Sequence, residues 1–65
     1  MMLSRNKINI AMARKKMSYT AMAEIYGVSR ARMNVILNSK KVSPMTIGRL
    51  AEVLEVDVTE ILEEE

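Results

Sequence analysis

The sequence predicts an all-α fold in which residues 1–65 form one compact domain of five short helices. Hydrophobic residues make up 49% of the chain, yet only Tyr19 and Tyr26 are aromatic, so Met, Ile, Leu, Val and Ala must build the core. Apolar residues recur at spacings of three and four, as on one face of a helix. A serine stands before each of the first four periodic segments, where a helix N-cap is expected. Sixty-five residues leave room for a single domain.

Helices one, four and five are predicted from their start signals. Helix one is expected from about Ser4 to Lys16. Helices four and five are expected within residues 43–62, the fourth beginning at Ser43-Pro44 because proline is favoured at the first helical position. Asp57 with Glu60 resembles a capping box that opens helix five. The expected apolar stripes are Ile8, Ala11 and Met12, then Ile47, Leu50, Ala51 and Leu54, then Ile61 and Leu62. Gly48 within helix four indicates either a close helix contact or a position without a structural role.

The segment at about 18–38 predicts two helices joined by a tight turn. Ser18 caps the first helix and Gly27 ends it, and Ser29 caps the second, which runs from Arg30 to about Asn38. Met33, Ile36 and Leu37 lie on one stripe of the second helix. The remaining face has two arginines, two asparagines and no acid, and its residues are Arg30, Ala31, Arg32, Asn34, Val35 and Asn38. Guanidinium and carboxamide groups on a rigid helix can contact base edges in a DNA major groove.

The charges divide the chain into a basic part and an acidic part. Residues 1–49 contain all ten basic residues and one acid, a balance of +9, whereas residues 50–65 contain seven acids and no base. The net charge of +2 hides this asymmetry. A basic surface suits a polyanion such as nucleic acid. The alternative interpretation is that each charged cluster is an ordinary solvated helix face.

Several classes of function lack the residues that they need. The chain has no cysteine and no histidine, so we expect no disulfide, no metal site and no cofactor. It also lacks a glycine-rich phosphate loop and an inward pair of acids, and we expect no catalytic activity. No apolar run approaches the roughly 20 residues of a membrane span, and the start is unlike a signal peptide. We therefore expect a cytoplasmic protein without an effector-binding domain.

The stretch from Met17 to Ser29 resembles the helix-turn-helix of phage Cro/C1-type repressors, the xenobiotic-response-element class. Ala23 precedes Gly27 by four residues, and Met33 and Ile36 follow it by six and nine, as at the packing positions of that family. The similarity covers roughly residues 5–62 and continues through Ser43-Pro44, Ile47, Arg49-Leu50-Ala51, Leu54, Val56 and Ile61-Leu62. The resemblance implies a five-helix, lambda-repressor-like DNA-binding domain that regulates transcription, usually as a dimer. It implies a nucleoid-associated repressor, encoded by a bacterium or a phage, that inserts helix 29–38 into the major groove of a palindromic or pseudo-palindromic operator.

Matched positions imply the following roles on double-stranded DNA. The expected base contacts are Arg30, Ala31, Arg32, Asn34 and Val35. The expected phosphate contacts are Tyr19, Thr20, Ser29, Asn38, Lys40 and Lys41. Arg30 is the best candidate for a bidentate contact with guanine, whereas Asn34 is a candidate for adenine or for a phosphate. Ser29 either only caps its helix or also contacts a phosphate.

Four positions depart from the pattern of the family. Tyr19 replaces a phosphate-binding glutamine, and its hydroxyl can still donate. Met12 and Leu37 stand where many members have an ion pair, so we expect these two side chains to touch. Ser39 replaces a glycine, which makes a left-handed backbone there less favourable.

The apolar residues near the C-terminus predict an interface. Val56, Val58, Ile61 and Leu62 are expected to form a two-fold homodimer that places two recognition helices about one DNA turn, ~34 Å, apart. The other interpretation is that they close the core of the monomer. An alternative function is a protein-interaction module, such as an anti-repressor, that uses this acidic and apolar face. RNA is a weaker option because aromatic stacking platforms are missing.

Overall fold

The computed structural model describes residues 2–39 and 41–63, which form four α-helices and one short 3-10 helix. In chain order these are α1 (Arg5–Arg14), α2 (Tyr19–Tyr26), α3 (Arg30–Asn38), α4 (Pro44–Leu54) and the 3-10 helix Val58–Glu60. The all-α prediction is confirmed, and five helices are present if the last, a single 3-10 turn, is counted. Lys40 lies outside the described residues.

Each α-helix begins after a serine whose hydroxyl oxygen accepts a hydrogen bond from a main-chain N–H three residues further on. The N–H groups of Lys7 and Ala21 donate to Ser4 at 3.2 Å and to Ser18 at 3.0 Å. Those of Arg32 and Thr46 donate to Ser29 at 3.1 Å and to Ser43 at 3.2 Å. Such a cap satisfies a donor that the helix itself leaves unpaired and contributes about 1 kcal/mol. All four predicted serine caps are confirmed.

Three of the α-helices end at a residue with left-handed backbone. These residues are Lys16 (φ 52°), Gly27 (φ 99°) and Glu55 (φ 56°). In each case the next main-chain N–H reaches back five residues to a carbonyl oxygen, as from Met17 to Met12 at 2.9 Å. The sequence predicted only the end at Gly27. Helix α1 stops at Arg14, two residues before the predicted end, because Lys16 has already left the helical conformation.

The core is a single cluster of apolar side chains. Its buried members are Leu3, Ile8, Ala11, Met22, Ala23, Tyr26, Met33, Leu37, Ile47, Leu50, Ala51, Leu54 and Ile61. The described part of the chain buries no polar or charged side chain. Most of the predicted stripes are therefore confirmed, with Met12, Ile36 and Leu62 only partly buried. Met12 packs against the cluster that includes Leu37, and their direct contact stays a prediction.

The two ends of the chain pair with each other, which the sequence did not predict. Leu3 and Leu62 form an isolated antiparallel bridge, in which the N–H of Ser4 donates to the carbonyl oxygen of Ile61 at 2.8 Å. Leu3 and Ile61 are both buried by this pairing. Ile61, which we expected at a dimer interface, is 0% exposed and lies in the core of its own chain. Its side chain therefore offers no surface to a second copy.

The acidic C-terminal segment forms ion pairs with the end of α1, and a capping box begins its 3-10 helix. Arg14 pairs with Glu60 at 3.1 Å, and Lys15 pairs with Glu55. The capping box is confirmed, since Asp57 accepts from the N–H of Thr59 at 2.9 Å while Glu60 accepts from the N–H of Asp57 at 3.1 Å. The N–H and hydroxyl of Thr59 both donate to Asp57 and lower the pKa of that carboxyl.

Candidate nucleic-acid interface

Helices α2 and α3 are held at a fixed angle by the turn at Gly27 and by buried side chains between them. The N–H groups of Gly27 and Val28 both donate to the carbonyl oxygen of Ala23, at 2.9 and 3.0 Å. Ala23 of α2 and Met33 of α3 are both buried and belong to the same core cluster. Because these contacts fix one face of α3 in the core, its opposite face has a defined direction in solvent.

The exposed face of α3 includes all the residues that were predicted to contact bases. All five are exposed: Arg30, Ala31, Arg32, Asn34 and Val35. Val35 is 57% exposed, so its apolar side chain is available to a partner. Among the described residues, this face contains no acid and no buried ion pair, and its polar side chains are exposed to a partner.

One edge of α3 forms a shallow concavity with the start of α2. It is lined by Tyr19, Arg30, Ala31 and Asn34. The guanidinium carbon of Arg30 lies 5.8 Å from the centre of the Tyr19 ring, within range of a cation–π contact. Tyr19 is partly buried against the core, so its ring gives Arg30 a fixed surface to lie on. The structure thus brings a predicted phosphate contact beside three predicted base contacts.

The other edge of α3 faces the start of α4. A second shallow groove there is lined by Arg32, Val35, Ile36, Ser39, Lys41, Val42, Ser43 and Thr46. It brings Arg32 and Val35 together with Lys41, the described lysine of the basic loop. Ser39 is extended (φ −70°, ψ 134°), so the loop after α3 avoids the left-handed backbone that the missing glycine would have favoured.

The model of the Cro/C1-type HTH DNA-binding domain family matches residues 7–65 of the chain. The chain belongs to this family. Neither a curated protein nor a solved structure matches it. The match covers both α2 and α3, which are the helix-turn-helix of this Cro/C1-type domain, and it extends over α4 and the 3-10 helix.

The remaining predicted phosphate contacts of the Cro/C1-type domain lie at helix ends. Thr20 is exposed in the first turn of α2, and Ser29 is exposed immediately before α3. The Ser29 oxygen accepts the capping hydrogen bond, which leaves its hydroxyl hydrogen able to donate to a phosphate. Asn38 is exposed at the end of α3, but both polar atoms of its side chain are already hydrogen-bonded within the chain.

Arg5 is the residue at this interface that sequence reasoning missed. Its Nη1 donates to Oδ1 of Asn38 at 2.6 Å, across 33 positions of sequence. Asn38 Nδ2 then donates to Oδ1 of Asn34 at 3.2 Å, and the hydroxyl of Tyr19 donates to the same oxygen at 3.5 Å. In the sequence Arg5 is one of ten basic residues, and no local pattern relates it to α3.

Among residues 2–39 and 41–63, no three acidic side chains lie close enough together to hold a metal ion. In the same part of the chain, each helix is too short or too polar to cross a lipid bilayer.

Proposed function

We propose that this Cro/C1-type domain is a sequence-specific transcriptional regulator that represses by occupying its operator. Helix α3 enters the major groove, and the main support is its exposed face of arginine, asparagine and small apolar side chains. Arg30, steadied by Tyr19, donates to guanine, while Ala31 and Val35 meet thymine methyl groups. Thr20, Ser29 and Lys41 surround this face and hold phosphates.

The charge distribution supports this orientation on DNA. All the basic residues precede residue 50. The acidic segment after it contacts the end of α1 through its ion pairs with Arg14 and Lys15. A phosphate field therefore attracts the basic side and repels the acidic end. Two copies, related by a two-fold axis, would read half-sites about one DNA turn apart.

The alternative function, a protein-interaction module, has less surface than the sequence indicated. Ile61 is buried, and Leu62 is partly covered by its bridge to Leu3. Val58, at 40% exposed, is the large apolar side chain of that segment that remains open. No observation in the described residues favours this alternative over DNA.

Selection from a pool of random duplexes, followed by sequencing and a salt titration, tests the proposal. We expect a palindromic site with half-sites one turn apart and an affinity that falls as salt rises. Arg30→Ala should relax one position in each half-site and weaken that discrimination by about 1–3 kcal/mol. Lys41→Ala, the matched loss of one positive charge, should weaken binding to all sequences alike.

Enrichment of no sequence, with weak binding lost at moderate salt, would contradict the proposal. The basic face would then attract DNA through its charge alone, without sequence preference, and a protein would become the expected partner. If Lys41→Ala altered base preference while Arg30→Ala did not, the docking direction of α3 would be wrong.

A further inference from the structure

The two asparagines of α3 form a directed hydrogen-bond chain with Arg5, which we name the amide relay: Arg5, Asn38 and Asn34. The direction of this chain follows from chemistry. A guanidinium has donors and no acceptor, so Asn38 must turn its oxygen towards Arg5. The amide group of Asn38 then faces Asn34 and donates to it, which requires that Asn34 turn its own oxygen inwards.

The oxygen of Asn34 accepts from two groups of the chain in this arrangement, closely from Asn38 and at longer range from Tyr19. An amide oxygen has two lone pairs, and here one accepts from Asn38 at 3.2 Å and the other from Tyr19 at 3.5 Å. The amide group of Asn34 donates to no residue in the described part of the chain. Since Asn34 lines the exposed concavity beside Arg30, it presents two hydrogen-bond donors and no free acceptor to a partner there.

We propose that the amide relay makes Asn34 a donor-only reader, so that it selects a keto base over an amino base at one position of the operator. This inference rests on the proposed function. Guanine offers two acceptors in the major groove, N7 and O6, and thymine offers O4. Cytosine presents only an amino group, and adenine presents an amino group beside its single acceptor N7, so that at least one donor of Asn34 would meet another donor there. The familiar bidentate pairing of asparagine with adenine needs a free oxygen, which the relay removes. Arg5 is thus a positioning residue for specificity, although it lies on α1.

The relay also predicts how the preference can be inverted. Asn38→Asp replaces the amide donor with a second acceptor, which can still accept from Arg5. Asn34 must then turn its amide group inwards to donate to the new carboxylate, and its oxygen faces outwards. The same position of the operator should then favour an amino base.

The experiment compares selected operators for the wild-type chain and four variants. Asn34→Ala identifies the operator position that Asn34 reads, because the variant should lose its base preference at that position. The wild-type chain should prefer guanine or thymine at that position by about fivefold or more. Arg5→Lys, which keeps a donor without an acceptor, should retain this preference. Arg5→Met should reduce it, and Asn38→Asp should move it to adenine or cytosine. Thermal unfolding followed by circular dichroism checks that each variant is folded.

Three results would overturn the inference while leaving the proposed function intact. The first is that Asn34→Ala leaves the base preference unchanged at every operator position. The second is that the wild-type chain prefers an amino base at the position that Asn34 reads. The third is that folded Asn38→Asp keeps the keto preference there. Failure of the wild-type chain to enrich any sequence would remove the proposed function and the inference together. The two failures are therefore distinguishable.

Discussion

Arg49 illustrates what one side chain contributes to this fold. Its Nη2 donates to the carbonyl oxygen of Tyr26 at 2.9 Å, and its guanidinium carbon lies 4.1 Å from the centre of the Tyr26 ring. The carbonyl belongs to the last residue of α2, which has no helical partner for it. Arg49 on α4 therefore closes the end of the first helix of the helix-turn-helix and covers its only buried aromatic ring.

Removing this side chain should destabilise the domain. We expect Arg49→Ala to lower the free energy of unfolding in urea by about 1–2 kcal/mol, since a charged hydrogen bond and a cation–π contact are both lost. Arg32→Ala is the matched control, because the side chain of Arg32 has no hydrogen bond or ion pair to any residue that the structure describes. It should change the free energy by no more than about 0.5 kcal/mol. Equal losses in the two variants would show that Arg49 acts only through its charge.

At the residue scale, sequence reasoning found the groups that face outwards but not their partners. The exposed face of α3 follows from helical periodicity, so Arg30 and Asn34 could be predicted. The contacts of Arg5 with Asn38 and of Arg49 with Tyr26 join residues 33 and 23 positions apart. They depend on how helices cross, which a single sequence does not encode locally.

At the scale of helices, starts were more predictable than ends. A serine cap acts within three residues, so its signal is local and all four were found. The ends at Lys16 and Glu55 use left-handed backbone without glycine. An ordinary residue gives no such signal, because a main-chain hydrogen bond from the residue after it, and not its own preference, accompanies this backbone.

The two glycines of the chain should respond in opposite directions to the same substitution. Gly27 has φ 99°, so Gly27→Ala should lower the free energy of unfolding by about 1 kcal/mol or more. Gly48 lies inside α4, and a methyl group added there would meet nothing within 4 Å. No close helix contact explains this glycine, and Gly48→Ala should raise the free energy by up to about 1 kcal/mol.

Urea unfolding of both glycine variants, beside the wild-type chain, measures these changes. Each variant adds one methyl group and is the control for the other. Destabilisation by Gly48→Ala would mean that α4 packs more tightly than its open surroundings indicate. An unchanged Gly27→Ala would mean that the turn between α2 and α3 tolerates a different backbone.

On the scale of the whole molecule, residues near the two ends of the chain pair with each other and complete the core. Leu3 and Ile61 enter the core from opposite termini, and the bridge between Leu3 and Leu62 holds them there. The sequence predicted Ile61 at a dimer contact because the apolar residues near the C-terminus exceed what one small core was expected to cover, but Ile61 is buried in the core of its own chain. A short turn cannot carry a separate apolar face, so its following residue packs inwards.

Because Ile61 is buried, the choice of residue matters for a test of the proposed homodimer. Ile61→Ala should lower the free energy of unfolding by about 2–4 kcal/mol because it leaves a cavity in the core, so its loss of DNA binding would be ambiguous. Val58, at 40% exposed, can be changed without opening the core. Met45, at 76% exposed in the first turn of α4, offers a matched apolar position away from the predicted interface.

We expect Val58→Glu to remain folded but to sediment as a monomer at concentrations where the wild-type chain and Met45→Glu are dimers. Placing a carboxylate in an apolar two-fold contact also brings it near its symmetry copy, and both desolvation and repulsion oppose association. On a palindromic operator, Val58→Glu should bind each half-site independently and more weakly. Sedimentation velocity with and without operator duplex measures both effects. A wild-type chain that stays monomeric in both conditions, or a Val58→Glu variant that still dimerises, would place the two-fold contact elsewhere or remove it.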